Sequence, residues 1–388
     1  MGKSGPTQNS QLITQIYLFM KCKPRSFLIG SLVIVAAAAA AFGQRPAPSI
    51  QPSALRAATS YLDGRLDWWV HWANSARDHD TSCVSCHTAL PYALARPVLH
   101  RILDDPEIPV PEQILLANVT KRVNLWKEVE PFYPDQTRGL PKSSESRGTE
   151  AVLNAVILAT RDASSRTLSN DARQAFTNMW ALQFKAGDFK GAWAWLNFHY
   201  EPWESNGSAY FGAALAAIAV GTAPGNYAAS PDIQDQITLL RDYLQQRADG
   251  EHLFNRAMAL WASSKLPGVL SAIQRQAIVD AALAKQHEDG GWSMADLGPW
   301  KRVDSTALET SSDGYATGLI ALALQSGGVQ RSEAHVGRAL AWLVQHQDTS
   351  TGMWSASSVN KQRDPASDTG KFMSDAATAY AVLALSPF

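Results

Sequence analysis

An internal repeat in the last third of the chain constrains the fold more than any other feature. Trp292 and Trp354 are 62 residues apart, and a Ser-Asp pair follows each of them, ending at Asp313 and Asp375. A period near 60 residues fits one long helical hairpin with its connecting loop. Roughly six such hairpins fit between residues 53 and 388, enough for the stacked repeats to close into a ring.

The hydrophobic pattern distinguishes two kinds of predicted helix in the chain. Some helices are amphipathic, as at residues 233–247, whereas others are rich in small residues and apolar on nearly all sides. The second kind lies at residues 151–159, 211–220, 315–324 and 376–385. A helix that is apolar all round must be buried. We therefore predict an all-α fold, a single α/α toroid of about six helical hairpins in two concentric layers, with about twelve helices in all.

Residues 1–43 have the pattern of a secretory signal peptide. Basic residues up to Arg25 precede a short apolar run at 27–42, and small residues end the segment at Gly43. This run is short for a transmembrane helix, which needs ~20 apolar residues. We expect an exported protein, periplasmic or extracellular, that contacts a membrane only if the signal segment is not cleaved.

The remaining chain divides into three parts. Residues 44–52 form a Pro-rich linker, residues 53–145 an N-terminal helical part, and residues 146–388 the repeats, which we expect to form one toroid with 53–145. A net charge of -1 with mixed signs gives no electrostatic reason to expect a nucleic acid as partner.

The segment Cys83-Val84-Ser85-Cys86-His87 has the attachment signature of a c-type haem. Two thiols three residues apart can bond the two vinyl groups of one porphyrin, and His87 is then placed to bind the iron. Export agrees with this chemistry, because such haem is attached outside the cytoplasm. The sequence thus predicts covalent haem c on Cys83 and Cys86, with His87 as the metal ligand.

Other interpretations of the same motif remain open. An exported Cys-x-x-Cys pair can form a plain disulfide or a thiol–disulfide redox pair. Zinc is a third option, although a closed zinc site needs four ligands and no second cysteine pair follows. For the distal side of a haem, the candidate ligands include His71, His79 and His100. Three nearby tryptophans are candidates for the wall of a haem pocket, namely Trp68, Trp69 and Trp72.

Acidic residues precede the apolar helices, and they are the candidate catalytic residues. Asp313 and Asp375 begin two of these helices, and Glu150 and Asn206 have comparable positions. In a toroid these helix ends face the central cavity, where such groups could bind or activate a ligand beside Tyr315 and Tyr380. The alternative is that Ser-Asp before an apolar run is a helix N-cap. The aromatic loop at 193–203 either covers this cavity or packs in the core.

The repeat contains a motif that resembles the Q–W repeat of squalene–hopene and oxidosqualene cyclases. One copy has the usual spacing, a second has a degenerate first half, and a third is stretched. These copies end at Trp354, Trp292 and Trp193 and begin with Gln347, Gln286 and Gln183. The chain is therefore similar to the terpenoid cyclase and protein prenyltransferase superfamily, most specifically over residues 272–388. The resemblance implies α/α toroid architecture, with each Gln–Trp pair joining neighbouring hairpins.

The chain also departs from these families. The squalene–hopene cyclases use an Asp-x-Asp-Asp acid cluster, which this sequence lacks, and they have two toroids where this length covers one. The prenyltransferases bind zinc with Asp, Cys and His, but no cysteine follows Cys86. The resemblance therefore implies the architecture and not either activity.

Three functions remain open at this point. The first is a haem-bearing toroid that transfers electrons to a redox partner or oxidises a small apolar molecule. The second is an isoprenoid-processing enzyme of the cyclase or isomerase type without haem. The third is a non-catalytic binding protein with a structural Cys83–Cys86 disulfide.

Overall fold

A computed structural model describes residues 49–136 and 141–386, all within the compact unit Arg45–Phe388. The predicted signal peptide at 1–43 and most of the predicted linker lie outside the described residues. Within the described ranges, no helix is long and apolar enough to cross a membrane.

Twelve α-helices make up most of the described chain. They are α1 (Pro52–His71), α2 (Ala89–Leu103), α3 (Val110–Asn124), α4 (Lys142–Asp162), α5 (Asn170–Ala181), α6 (Ser208–Thr222), α7 (Gln234–Arg247), α8 (Leu253–Lys265), α9 (Ala272–Leu283), α10 (Gly314–Ser326), α11 (Ala334–Gln345) and α12 (Phe372–Leu385). Two short antiparallel strands, β1 (Ala76–Arg77) and β2 (Thr81–Ser82), form a hairpin between α1 and α2.

The even-numbered helices form a closed inner ring. Each of α2, α4, α6, α8, α10 and α12 packs against the next, and α12 packs against α2. The odd-numbered helices pack outside them, with α1 against α2, α5 against α4 and α11 against α10. Six helical hairpins in two concentric layers are the predicted architecture, so the prediction of an all-α toroid is confirmed.

Small residues allow the inner helices to approach closely. A Cβ added to Gly318 in α10 would lie 2.7 Å from the backbone nitrogen of Ala381 in α12. In α6, a Cβ added to Gly212 would lie 2.2 Å from the indole ring of Trp195. Such distances are well inside van der Waals contact, so only glycine fits at these positions.

The glutamines of the Q–W motifs join neighbouring hairpins by hydrogen bonds. The side-chain amide of Gln286 donates to Gly290 O in its own loop and to His335 O at the start of α11, both at 2.8 Å. Gln183 donates in the same way to Gly191 and to Gln236 of α7.

The tryptophans of these motifs fix each loop to the helix that precedes it. The buried indole N–H groups of Trp193, Trp292 and Trp354 donate to carbonyl oxygens at the ends of α5, α9 and α11. The predicted joining of hairpins therefore takes the form of hydrogen bonds to backbone carbonyls.

Helix α1 ends at His71, because the Ser75 hydroxyl bonds the carbonyl oxygen of Trp69 and the β1–β2 hairpin follows. Helix α3 ends at Asn124. The expected division between residues 145 and 146 falls inside α4, which belongs to the same ring as α2.

Candidate functional site: the mouth of the inner ring

The Cys-x-x-Cys-His motif forms the entry to inner helix α2. The amide of Cys83 donates to Ser75 O at 2.7 Å, which continues the ladder of the β1–β2 hairpin. The Ser85 hydroxyl oxygen then accepts the amides of Thr88 and Ala89 at 3.2 and 3.0 Å. These bonds satisfy the free amides at the start of α2, so the motif is held at one end of the inner ring.

Both thiols of the motif are buried and reduced. Cys83 and Cys86 are 7% and 3% exposed, and they are not joined in a disulfide. Burial raises the pKa of Cys83 to about 12, and it raises the pKa of Cys86 well above its ordinary value. Because a thiolate is the reactive form, neither sulfur is poised for thiol–disulfide exchange in this conformation.

Aromatic rings surround His87 on several sides. Its imidazole stacks on Phe372 of α12 with the ring centroids 3.8 Å apart. Trp69 of α1 meets it edge-on at 4.9 Å, and Trp203 lies at 5.7 Å. Burial lowers the pKa of His87 to about 3, so the imidazole is neutral near pH 7.

A hydrogen-bond relay leads from His87 to a buried carboxylate. The Thr88 hydroxyl donates to Asp375 Oδ2 at 2.6 Å, and Thr88 Oγ1 lies 2.8 Å from His87 Nδ1. Since the single hydroxyl hydrogen of Thr88 goes to the carboxylate, its oxygen accepts from His87 Nδ1–H. The neutral imidazole then has an unprotonated Nε2.

Asp375 receives further hydrogen bonds from the first helix. Arg65 donates from Nε and Nη2 at 2.7 and 3.1 Å, and the Tyr61 hydroxyl donates at 2.8 Å. Burial raises the pKa of Asp375, while Arg65, Thr88 and Tyr61 oppose this shift by stabilising the carboxylate. The candidate acid Asp375 thus joins α1, α2 and α12 where the ring closes.

Glu150 has an equally buried partner. Its carboxylate accepts from Arg122 Nε at 2.5 Å and from Nη2 at 3.1 Å, and both side chains are 0% exposed. Burial raises the pKa of Glu150, whereas Arg122 opposes that shift. The pair joins α3 to α4.

The third candidate acid caps a helix. Asp313 Oδ1 accepts the amides of Tyr315 and Ala316, and Oδ2 accepts the amide of Met294 at 2.6 Å. Burial raises the pKa of Asp313 to about 6, although these hydrogen bonds to backbone amides act to lower it. This is the N-cap geometry that the sequence offered as an alternative. Asn206 is exposed and accepts a hydrogen bond from Asn197. A ligand role for these polar groups stays a prediction.

The interior beneath the mouth is filled with aromatic side chains. Trp203 Nε1 donates to the Tyr315 hydroxyl at 2.9 Å, and the two rings stack at 5.8 Å. Tyr380 lies 5.3 Å beyond Tyr315, and both tyrosines are essentially unexposed. The aromatic loop at 193–203 therefore packs in the core and closes the mouth from within.

Two clefts lie on the surface near this end of the ring. One, of about 400 Å³, includes Asn74, Arg77 and Tyr133 beside the β1–β2 hairpin. The other, of about 530 Å³, includes Ser143 and Arg147 at the start of α4. Neither cleft is lined by a candidate acid or by the Cys-x-x-Cys-His motif.

The candidate distal ligands are all engaged with nearby oxygen atoms. His71 contacts Asp67 and His79 contacts Asp78, each at the protein surface. His100 bonds the Asp105 carbonyl and Glu112. Of the candidate residues for the wall of a haem pocket, Trp69 contacts His87 directly. Trp68 and Trp72 stack on each other at 5.0 Å beside Phe372.

Sequence reasoning missed three residues of the site. Tyr61, Arg65 and Thr88 hold Asp375 and His87, yet none belongs to the motif. The spacing of Tyr61 and Arg65 by one helical turn was the only available signal that they share a face. Within the described residues, no group of three His, Cys, Asp or Glu side chains could hold a metal ion.

Comparison with known proteins agrees with the fold. No family model matches the chain, and no curated protein matches it. A mutant of the unsaturated glucuronyl hydrolase UGL, solved with dGlcA-Glc-Rha-Glc, is similar over 86% of this chain and 95% of that chain, with a TM-score of 0.51 and 12% identity. A glycosyl hydrolase family 88 protein from Bacteroides vulgatus covers 88% of this chain and 92% of its own, with a TM-score of 0.35 and 10% identity.

The first of these similarities is one of fold alone, because the identity is 12%. Together with the ring of six hairpins it defines the class: this chain is an α/α toroid protein.

Proposed function

We propose that this protein is an exported α/α toroid that carries one covalent c-type haem on Cys83 and Cys86, with His87 as the residue that would hold its iron. Its role is then electron transfer or oxidation of a small apolar molecule. Such a group supplies one-electron chemistry at its iron when bound. The observation that carries the proposal is the position of the motif: two buried free thiols stand next in sequence to a histidine that aromatic rings surround.

The donor atoms fit this group. Two thiols and one imidazole are what covalent haem requires from the chain, and an unprotonated Nε2 can bind iron. Phe372 covers a face of the imidazole, and Nε2 would be the His87 atom that holds the iron. Trp69 and Trp203 supply the apolar contacts that favour burial of a porphyrin.

Burial of the thiols sets the order of events. In the attachment reaction each S–H adds across one vinyl C=C, with sulfur bonding one carbon and hydrogen the other, so no oxidant is consumed. Cys83 and Cys86 are inaccessible once the ring is closed. We therefore expect attachment before the mouth of the toroid closes, during export and folding.

The competing interpretations have less support. A structural disulfide is absent from the structure, and burial disfavours the thiolate that thiol–disulfide exchange needs. An isoprenoid-processing function needs an available acid, but Glu150 and Asp375 are ion-paired with arginine and Asp313 caps α10. Hydrolysis of saccharides meets the same objection, because it needs two working carboxyl groups.

The test is production of the full chain with the c-type maturation machinery. We expect a pyridine haemochrome spectrum of the c type and haem that stays on the polypeptide in a denaturing gel. Cys83→Ala and Cys86→Ala each remove one thioether, and the double variant loses all covalent haem. Cys22→Ala is the matched control and keeps the haem, because Cys22 precedes the predicted cleavage site. A colourless, folded wild-type protein, from cells that mature another cytochrome c, would overturn the proposal.

A further inference from the structure

We propose that Asp375, acting through Thr88, is the positioning residue for His87, and that it lowers the reduction potential of the attached haem. This inference rests on the proposed function. It concerns how the chain holds and tunes its own metal ligand, His87.

The geometry leaves one arrangement of hydrogens. Thr88 gives its hydrogen to Asp375, so it accepts from His87 Nδ1 and fixes the tautomer with a free Nε2. The side chain of Thr88 is buried between the two groups. The relay therefore orients the imidazole as well as selecting the nitrogen that can bind a metal.

Charge determines the direction of the electronic effect. A carboxylate at the end of the relay makes Thr88 a better acceptor, and this increases electron density on the imidazole. A more basic histidine stabilises the ferric state relative to the ferrous state, so the potential falls. Arg65 and Tyr61 hold the carboxylate in place from α1, which is why the relay keeps its geometry.

Asp375 and His87 come from opposite ends of the folded chain. Asp375 lies in the first turn of α12 in the last hairpin, and His87 precedes α2 in the first. Their link forms only when the ring has closed. The structure thus makes the orientation of the metal ligand depend on completion of the toroid.

The chain offers a matched control for loss of the carboxylate. Asp63 accepts a tyrosine hydroxyl from Tyr92 at 2.8 Å and faces Arg96 at 3.7 Å, so its partners are of the same kind as those of Asp375. No hydrogen bond links it to His87. Its side chain is 23% exposed, so Asp63→Asn controls for removal of a partly buried charge from a Tyr–Asp–Arg cluster.

The first experiment measures the midpoint potential of the haem-loaded full chain. In Asp375→Asn we expect the ferrous-to-ferric ratio at a fixed applied potential to rise on the order of tenfold, which is about 59 mV for a one-electron couple. Thr88→Val keeps the shape of the side chain but breaks the relay, so it also raises the midpoint potential. Thr88→Ser keeps the hydroxyl and should have the wild-type midpoint potential. Asp63→Asn leaves it unchanged. Equal potentials in Thr88→Val and wild type would overturn the inference.

A second experiment reads the tautomer without haem. The full-length Cys83→Ala/Cys86→Ala protein, labelled with 15N-histidine, should show His87 protonated at Nδ1, and addition of Thr88→Val should remove this preference. A His87 protonated at Nε2 contradicts the relay. The two failures are distinguishable: absence of covalent haem defeats the proposed function, whereas an unaltered potential or the wrong tautomer defeats only the role of Asp375.

Discussion

Gln347 and Ala54 form the hydrogen bond that closes the outer layer of the toroid. The Gln347 amide donates to Ala54 O in α1 at 2.9 Å and to Gly352 O in its own loop at 2.8 Å. The same bridge joins earlier neighbours through Gln183 and Gln286. The last hairpin therefore bonds to the first helix in the way that earlier hairpins bond to the next one, although 293 residues separate Gln347 from Ala54.

Loss of this bridge should weaken the ring. In Gln347→Leu two backbone carbonyls lose their donor, and we expect a decrease of about 1–3 kcal/mol in the free energy of unfolding. Urea denaturation followed by circular dichroism measures it. Gln276→Leu is the control, because Gln276 bonds Asp280 on the exposed surface of α9 and joins no second hairpin among the described residues. Equal losses in the two variants would contradict a closing role for Gln347.

Gly352 tests the same closure by steric contact. Its φ is +82°, and an added Cβ would lie 2.3 Å from the backbone carbonyl group of Ala57 in α1. Gly328 has φ +96° with nothing within 4 Å, so Gly328→Ala measures the left-handed backbone cost alone, about 1–2 kcal/mol. We expect Gly352→Ala to be several kcal/mol more costly in urea denaturation. A difference within error would mean that α1 does not pack on this loop.

The buried Arg122–Glu150 pair should matter chiefly for stability. Glu150→Gln removes the buried countercharge of Arg122 and leaves it only the partly exposed Asp78 at 3.5 Å, so we expect a loss of up to about 3–5 kcal/mol. The control is Asp296→Asn, since Asp296 and its ion-pair partner Lys285 are 32% and 50% exposed, and a pair exposed in this way is worth about 1 kcal/mol or less.

The double variant Arg122→Met/Glu150→Leu separates charge from packing. We expect it to recover part of the stability that Glu150→Gln loses, because the fully buried guanidinium of Arg122 is removed together with its carboxylate. The measurement is the thermal unfolding of wild type, Glu150→Gln and the double variant. A Glu150→Gln protein as stable as wild type would return Glu150 to the candidates for ligand chemistry.

His252 predicts an acid-sensitive step in stability. Its Nδ1 accepts the Asn255 amide as the N-cap of α8, and its ring packs edge-on against Trp300. Burial lowers the pKa of His252 to about 4. Between pH 6.5 and 4 the unfolded chain binds the proton more readily, so stability is lost as the pH falls through this window, up to about 3 kcal/mol.

The measurement is urea denaturation of wild type and His252→Asn at pH 7.5, 5.5 and 4.5. Asparagine keeps a capping oxygen and cannot titrate, so the variant should lose less stability on acidification than wild type. His71→Asn, at an exposed position in α1, should follow the wild-type curve. Parallel curves for wild type and His252→Asn would contradict the prediction.

The sequence predicted the layers of the fold because burial leaves a periodic signature. Residues 151–159 of α4 and most of α6, α10 and α12 are apolar on nearly all sides, and the repeat supplied the hairpin period. Helices α2 and α8 escaped the same criterion because they carry buried polar groups. Arg96 in α2 is paired with Glu112, and Asn255 in α8 donates to Gly207 O. Local hydrophobicity cannot anticipate a partner supplied by another helix.

The site was predictable only where its chemistry is local. The Cys-x-x-Cys-His motif is contiguous, so its residues could be named directly. Thr88 and Asp375 are 287 residues apart, and Tyr61 and Asp375 are 314 apart. Their contacts depend on closure of the ring, and closure depends on the sum of twelve helix packings. For the same reason, the sequence identified Asp375 as a candidate acid but did not reveal that Arg65 is its partner.

Closure of the inner helices has a consequence for how this protein loses its structure. An open solenoid has terminal repeats that fray first, since each has one neighbour. Here every hairpin has two, because α12 packs on α2. Unfolding any one hairpin exposes two apolar interfaces at once, which makes a partly unfolded ring unfavourable. We therefore expect a single all-or-none melting transition.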